Sequence, residues 1–518
     1  MKRKRYKSWT IFLAAFTFFL IIVFPPVIVV IIELLKLKAS SILSIGLVEP
    51  YKNSLIIAST SSLFSLMISL PLGLIFGSRS FRHPYLFIVI LLIPLIVPPY
   101  LTAKSWIDLF VKTPIGGPLF CGVILSLCYF PIPLYLIVSG LRRIDSELEE
   151  SALLILNRWQ ILTKITIPLI YPYIATGLIL IFLFSITNYS VPSILGIKCL
   201  ITKLYSDFSI FHNLSKSIWI AIPMIIICLF LSYLLGILIM EREFISFDIS
   251  PSKGIMVSIF ENHKKVVYGI VIIFLIILFP LISLFKEITS LKILAITFKD
   301  SLRSFFHTIV LSTSGSLFLS IISICCGYMF QRKRFWKNRL LNAIILFPFS
   351  LPSVLLAICI THIWNRAIFS ILYDTPLILI ILWGSKYLPL TIRIISDHVS
   401  QIPVEFEEAG LLSHLTQFKV FRHIVCPLLG SGFLLIFWLI YILTISEVGG
   451  TLLVIPPGIE TLSIRIFNLL HYGDLKVVAS TSIMLILSLL IPISFLLILK
   501  TIQTLKGKDS GSIFRKDK

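Results

Sequence analysis

The 518-residue chain is predicted to be an all-α polytopic membrane protein with about twelve transmembrane helices, arranged as two fused six-helix repeats. Three observations predict this. Apolar residues make up 57% of the sequence and charged residues 13%, against roughly 25% charged in a soluble domain. Apolar stretches of membrane-spanning length recur along the chain. Several sequence patterns also occur twice, in the same order and at nearly constant spacing. The 45 Lys+Arg outnumber the 24 Asp+Glu, giving a net charge of +21. In a soluble chain that excess would suggest nucleic acid. Among apolar spans it marks cytoplasmic loops, so the expected partner is the lipid bilayer and no nucleic acid. The eight cysteines are scattered, with Cys325 and Cys326 adjacent and no CxxC pair. Neither a disulfide framework nor a zinc site is expected.

A hydrocarbon core of about 30 Å needs about 20 apolar residues of helix. Segments of that length lie near 9–35, 54–77, 84–108, 117–140, 166–188, 217–240, 266–286, 305–330, 341–364, 371–392, 424–446 and 478–500. The first exceeds a signal-peptide core, lacks a small-residue cleavage site and precedes many further spans, so it is read as a span. Pro25-Pro26 and Pro98-Pro99 interrupt two segments, which spanning helices tolerate when neighbours satisfy the freed carbonyls. Placing Lys2, Arg3, Lys4, Arg5 and Lys7 in the cytoplasm puts most basic residues on the inner side, including the run QRKRFWKNR at Gln331–Arg339. Both termini are then cytoplasmic.

The repeat follows from paired patterns. ASTSSLF at Ala58–Phe64 answers STSGSLF at Ser312–Phe318, offset by 254. LIPLIVPPYL (92–101) answers LFPFSLPSVL (346–355) at the same offset. LEESALLILNRWQILTKITIP at Leu148–Pro168 answers FEEAGLLSHLTQFKVFRHIVCP at Phe406–Pro427, with Glu150 and Glu408 offset by 258. The expected domains are a first repeat over 1–240 with a cytoplasmic loop at 141–168, a cytoplasmic linker over 241–265, and a second repeat over 266–518 with a cytoplasmic loop at 393–427. Six spans per half give both halves one orientation, a parallel repeat about the membrane normal.

The two loops carry the functional pattern. Glu407 and Glu408 begin a short helix where a carboxylate suits the N-terminal dipole. Ala409 and Gly410 are small enough for close approach to another backbone, and Lys419, Arg422 and His423 follow where they can meet lipid headgroups. One such loop reads equally as a solvated interfacial hairpin. Two at matched places suggest a twofold-symmetric partner beneath them.

These loops resemble those of the membrane subunits of binding-protein-dependent ABC importers, which carry EAA, three residues, Gly, nine residues, then I-x-L-P. Glu408, Ala409, Gly410, Ile424 and Pro427 fall at matching positions, with Cys426 in place of Leu. In the first half Glu150, Ser151 and Ala152 match the start, and Ile165, Ile167 and Pro168 the end, with one residue fewer between. The family glycine is replaced by Leu156 and His414. A narrower resemblance is to fused ferric-iron permeases. Glu447–Gly473, EVGGTLLVIPPGIETLSIRIFNLLHYG, carries it most strongly, and IPLIVPPYLTAKSW (93–106) and TNYSVPSILG (187–196) fit less exclusively. Fused thiamine, polyamine and sulfate permeases share the plan.

The resemblance implies a multi-pass protein of the bacterial inner membrane that imports ferric iron by alternating access. A dimer of ATPase subunits would grip Glu149–Pro168 and Glu408–Pro427, in loops that also carry Glu407, with Glu150 and Glu408 as the expected coupling contacts. A periplasmic or lipid-anchored binding protein would deliver the cargo, and Glu447, Asn188 and Tyr189 are candidates for the outer mouth or path. Thiamine, a polyamine or an oxyanion is the alternative cargo. A twelve-span secondary transporter is the alternative of another class, and an intramembrane enzyme is a further one.

The chain is expected to hold no cofactor and to perform no covalent chemistry. No G-x-x-x-x-G-K-[ST] phosphate cradle is present. The nine histidines form neither H-x-x-H nor H-E-x-x-H, so no resident metal centre is expected. Ionisable residues in spans are costly and usually functional. Glu33, Asp108, Asp374 and Lys386 fall toward span ends, and Glu447 at the outer end of the eleventh. That scarcity favours an energy source outside the membrane. Glu447 has two readings here, a carboxylate attracting a cation at the mouth or an interfacial residue solvated by headgroups.

Overall fold

The computed structural model describes residues 2–36, 45–77, 94–95, 97–109, 116–144, 146–240, 278–280, 282–287, 290–333, 335 and 338–490. Side chains are described for fewer, those of residues 2–10, Ile45, Leu109, Ser146, Glu149, Ile239, Met240, Ala367, Ser370 and Ile371 lying outside. The expected linker at 241–265, most of the span at 266–286, and the ends of spans at 84–93 and 491–500 also lie outside the described residues. Helices account for the regular structure of the described residues, with no strand among them. Six helices are long and apolar enough to cross a membrane: Ile11–Leu35, Val48–Phe76, Arg158–Ile186, Leu214–Leu238, Leu291–Arg332 and Leu377–Ser400. The pairs Pro118–Tyr129 with Pro131–Leu141, Arg339–Ser350 with Ser353–Trp364, and Gln417–Leu428 with Gly430–Ser446 bend by 49°, 90° and 73°. A further apolar helix covers Leu475–Leu490.

The bends correct three straight spans expected from hydropathy. The 341–364 segment breaks at Leu351 and Pro352, both extended at ψ 146° and 138°, because Pro352 disfavours a helical Leu351. The 117–140 segment bends where Pro131 and Pro133 follow Phe130, and the 424–446 segment starts at Gln417 and turns near Leu429. The 305–330 span extends over Leu291–Arg332, and the 371–392 span runs on to Ser400.

The repeat expected from sequence recurs as matched contacts. Gly73 lies against Ile137 so closely that an added Cβ would sit 2.5 Å from its Cγ2. Gly327, 254 residues on, meets Ile395 in the same way at 2.6 Å. Small residues at helix crossings let backbones approach where no hydrophobic effect drives association. The Leu200 N–H donates to Ser54 Oγ at 2.9 Å, and the Leu462 N–H to Thr308 Oγ1 at 2.8 Å. Each hydroxyl satisfies an orphan donor at the start of a helix.

The two halves are interleaved. Ser385 of the second half donates to the Ile22 carbonyl of the first helix at 2.6 Å, and Ser105 of the first half donates to the Pro280 carbonyl at 3.3 Å. Cys228 Sγ donates to the Ser350 carbonyl at 2.9 Å, and Ser350 Oγ returns a bond to the Cys228 carbonyl at 3.2 Å. These contacts leave a cavity between the halves near the proline breaks, and two short loops at sequence-matched places.

Candidate functional site: a two-fold cavity and paired loops

A cavity of about 90 Å³ lies between the halves, with room for a few waters. Its polar lining includes Tyr129, Asn188, Tyr189, Lys386, Tyr387 and Glu447. Asn188 Nδ2 donates to the Tyr129 hydroxyl at 3.0 Å, and Asn188 Oδ1 accepts from the Val191 N–H at 3.0 Å. In the second half the Tyr387 hydroxyl donates to a Glu447 carboxylate oxygen at 3.1 Å, whose other oxygen accepts from the Gly450 N–H at 3.1 Å. The three bonded residues on each side, Tyr129, Asn188 and Val191 against Tyr387, Glu447 and Gly450, match at offsets of 258 or 259. Each polar side chain thus caps the turn it starts and accepts or donates one bond across to a phenol. The two turns abut, since an added Cβ on Gly449 would lie 2.8 Å from Tyr189 Cβ.

Among the residues lining the cavity only the second half supplies charges, Lys386 and Glu447. Lys386 Nζ lies 3.9 Å from Glu447, with side chains 8% and 11% exposed. This corrects two expectations. Lys386 is the tenth residue of the helix Leu377–Ser400, about 14 Å along it, and is buried instead of lying toward a span end. Glu447 is enclosed beside it, so the headgroup-solvated reading does not fit. Asn188 and Tyr189 line the same cavity. Tyr129, Tyr387 and the depth of Lys386 were missed from sequence. The signal was available, because Tyr-x-Pro occurs at Tyr129–Pro131 and again at Tyr387–Pro389.

The loops are built alike with one difference. Val404–Leu412 begins after Pro403 and carries Glu405 and Glu407 in its first turn. Glu407 is buried, accepting from the Tyr328 hydroxyl at 2.7 Å and from Arg332 Nε at 2.7 Å, while Arg332 Nη2 also donates to the Ile402 carbonyl at 3.0 Å. Glu408 and Ala409 face out, and Gly410 is buried against Ile424. The helix closes through His414 at φ 59°, with the Leu415 N–H donating to the Gly410 carbonyl and the His414 N–H to the Leu411 carbonyl. This is a Schellman turn whose left-handed position normally takes glycine.

In the first loop Ser146–Leu153 ends in a tighter turn, the Leu156 N–H donating to the Ala152 carbonyl at 2.8 Å. Among the described residues Leu156 is not one with positive φ, which accounts for the missing residue. Glu150, Ser151 and Pro168 are exposed, Ala152 and Leu156 half-buried. In the second loop His414 and Pro427 are exposed. Both loops then enter a π-helical turn, Leu162–Thr166 and Phe421–Val425, directly before Pro168 and Pro427. Proline lacks the N–H for the regular ladder, and the wider turn accommodates its absence. Leu154, Ile155 and Leu412 are 86%, 87% and 81% exposed, apolar tips beside the outward glutamates.

Comparison with known proteins places these features. The family of binding-protein-dependent transport system inner membrane components matches residues 4–240 and 320–504. The chain belongs to that family. The permease is 24% identical over 435 residues to the Fe(3+)-transport system permease protein FbpB 2 of Haemophilus influenzae, covering 79% of this chain and 82% of that one. It is 20% identical over 496 residues to the ferric transport system permease protein FbpB of Actinobacillus pleuropneumoniae, covering 87% and 71%. A putative ferric transport system permease protein FbpB 1 of Haemophilus influenzae is 20% identical over 432 residues, covering 75% and 67%. The permease is therefore an all-helical, multi-pass inner-membrane protein with two family repeats, most like ferric-iron permeases.

Proposed function

We infer that the chain is the membrane-spanning subunit of an importer that moves ferric iron into the cytoplasm by alternating access. The observation that carries this is the pair of matched loops, each presenting an outward glutamate beside exposed apolar side chains on a short helix. A dimer of ATPase subunits would seat on both loops, and ATP binding would draw them together. The loops pass directly through π turns into the helices that reach Asn188 and Glu447, so their movement would be felt at the cavity. A binding protein on the opposite face would deliver the cargo. The loops and both termini would be cytoplasmic. The repeats would span 1–240 and 266–518, joined by 241–265.

The cargo follows from the ferric permeases it resembles and from the oxygen donors of Glu447, Tyr129, Tyr387 and Asn188. Hard oxygen ligands suit a small, highly charged cation. The test is uptake of radiolabelled ferric iron by a strain deleted for this chain. Uptake restored by the wild-type chain and lost on ATP depletion is expected. Restoration of thiamine, spermidine or molybdate uptake in its place would overturn the cargo and leave the importer.

A further inference from the structure

Lys386 and Glu447 are charges that the first repeat lacks. By the repeat spacing, Cys128 stands at the place of Lys386 and Asn188 at that of Glu447, while Tyr129 matches Tyr387. The matched residues are nevertheless joined on both sides, with the donor reversed at the phenol: Asn188 donates to Tyr129, whereas Tyr387 donates to Glu447. The uncharged half shows that the scaffold holds without an ion pair, so packing alone does not explain the charges.

The geometry of the pair is that of a loose contact. At 3.9 Å the Lys386 ammonium is beyond hydrogen-bond distance of the carboxylate. Both Glu447 oxygens are already engaged, one by Tyr387 and one by Gly450. Among the described residues Lys386 donates no hydrogen bond, and its side chain is 8% exposed beside the cavity. The ammonium sits on a flexible four-carbon stem with open donors. It neutralises Glu447 without being fixed to it.

We propose that Lys386 is the resident counter-ion of the transport path. It occupies the field of Glu447 while the path is empty and yields it only to a cation of higher charge. This rests on the cavity being part of the path. Coulomb attraction scales with charge, so a trivalent ion is drawn to Glu447 about three times as strongly as an ammonium at equal distance. A monovalent ion gains nothing by the exchange. Lys386 therefore sets selectivity and suppresses passive leak of Na⁺, K⁺ and protons.

The test uses the full permease with its ATPase subunits in liposomes without ATP, reading K⁺ and proton flux by dye. Lys386→Met is expected to leak on the order of tenfold faster than wild type, the factor for a barrier lower by about 1.4 kcal/mol. Lys386→Met with Glu447→Gln should return to the wild-type rate, and Lys386→Arg should never leave it. Lys386→Gln replaces the Met variant if that protein is not monodisperse. A Lys386→Met rate equal to wild type overturns the proposal. So does a double variant that leaks like the single one, since lost packing would then open the path. ATP-driven ferric uptake by wild type, with ATP and the ferric-loaded binding protein added to the same vesicles, separates the two levels. Uptake without a leaking variant rejects only the counter-ion, and no wild-type uptake rejects the path and cargo.

Discussion

Arg332 Nε lies 2.7 Å from Glu407 and ties the second loop to the end of the helix Leu291–Arg332. The same helix holds the Leu462 N–H through Thr308, 24 residues earlier, a span of about 36 Å at helical rise. A rigid rod thus joins the loop to the far side of the second half. Removing one partner of a buried ion pair costs about 3 kcal/mol, whereas replacing both with apolar residues is often near neutral. Arg332→Gln is expected to lower the thermal midpoint and to cut uptake. Arg332→Met with Glu407→Leu should recover the midpoint but not the uptake. Recovery of both would make the pair structural only.

His414 sits at φ 59° where a side chain is strained. His414→Gly should stabilise the protein by about 1 kcal/mol, read as a rise in thermal midpoint with uptake retained. Leu156→Gly is expected to destabilise, because that turn has no left-handed residue to relieve and glycine costs backbone entropy. Equal shifts at the two positions would contradict the assigned turn geometries.

Tyr387 donates to a carboxylate and the matched Tyr129 receives a bond from an amide. Hydrogen bonds to charged groups are worth about 1.5–3 kcal/mol against about 1 for neutral ones. Tyr387→Phe should therefore reduce uptake more than Tyr129→Phe at matched abundance. The reverse order would remove Glu447 from the path.

Gly73 and Gly327 should respond alike. A valine at either meets an isoleucine Cγ2 at 2.5 or 2.6 Å from its Cβ, an overpacking that costs about 1–3 kcal/mol. Gly327→Val is expected to lower the yield of folded protein, and Ile395→Ala to restore part of it. No loss at Gly327 would argue against the helix crossing.

The spans, the duplication and the two loops were legible because each rests on local pattern, namely apolar length, repeated motifs and a charged helix start. The 90° break at Leu351-Pro352 was not, since hydropathy reports that a segment is apolar and says nothing of its direction. Lys386 looked terminal only because hydropathy ended its span at 392, while the helix runs to Ser400. Glu447 was ambiguous because its partners Tyr387 and Lys386 lie some 60 residues away in sequence. A lone tyrosine in an apolar span is unremarkable. Tyr129 and Tyr387 stand out only when the repeat register is applied to them. His414 showed the opposite case, a turn that keeps glycine geometry after losing the glycine.

Glu408 faces outward on the second loop, and the proposed function makes it a contact for the ATPase. The most direct measurement is ferric-iron uptake by the deletion strain carrying either the wild-type chain or Glu408→Lys, at matched membrane abundance and with and without ATP depletion. Uptake that requires ATP and is lost in Glu408→Lys is predicted. Wild-type rates in Glu408→Lys, or uptake that survives ATP depletion and collapses with an uncoupler, would contradict an importer driven through its loops.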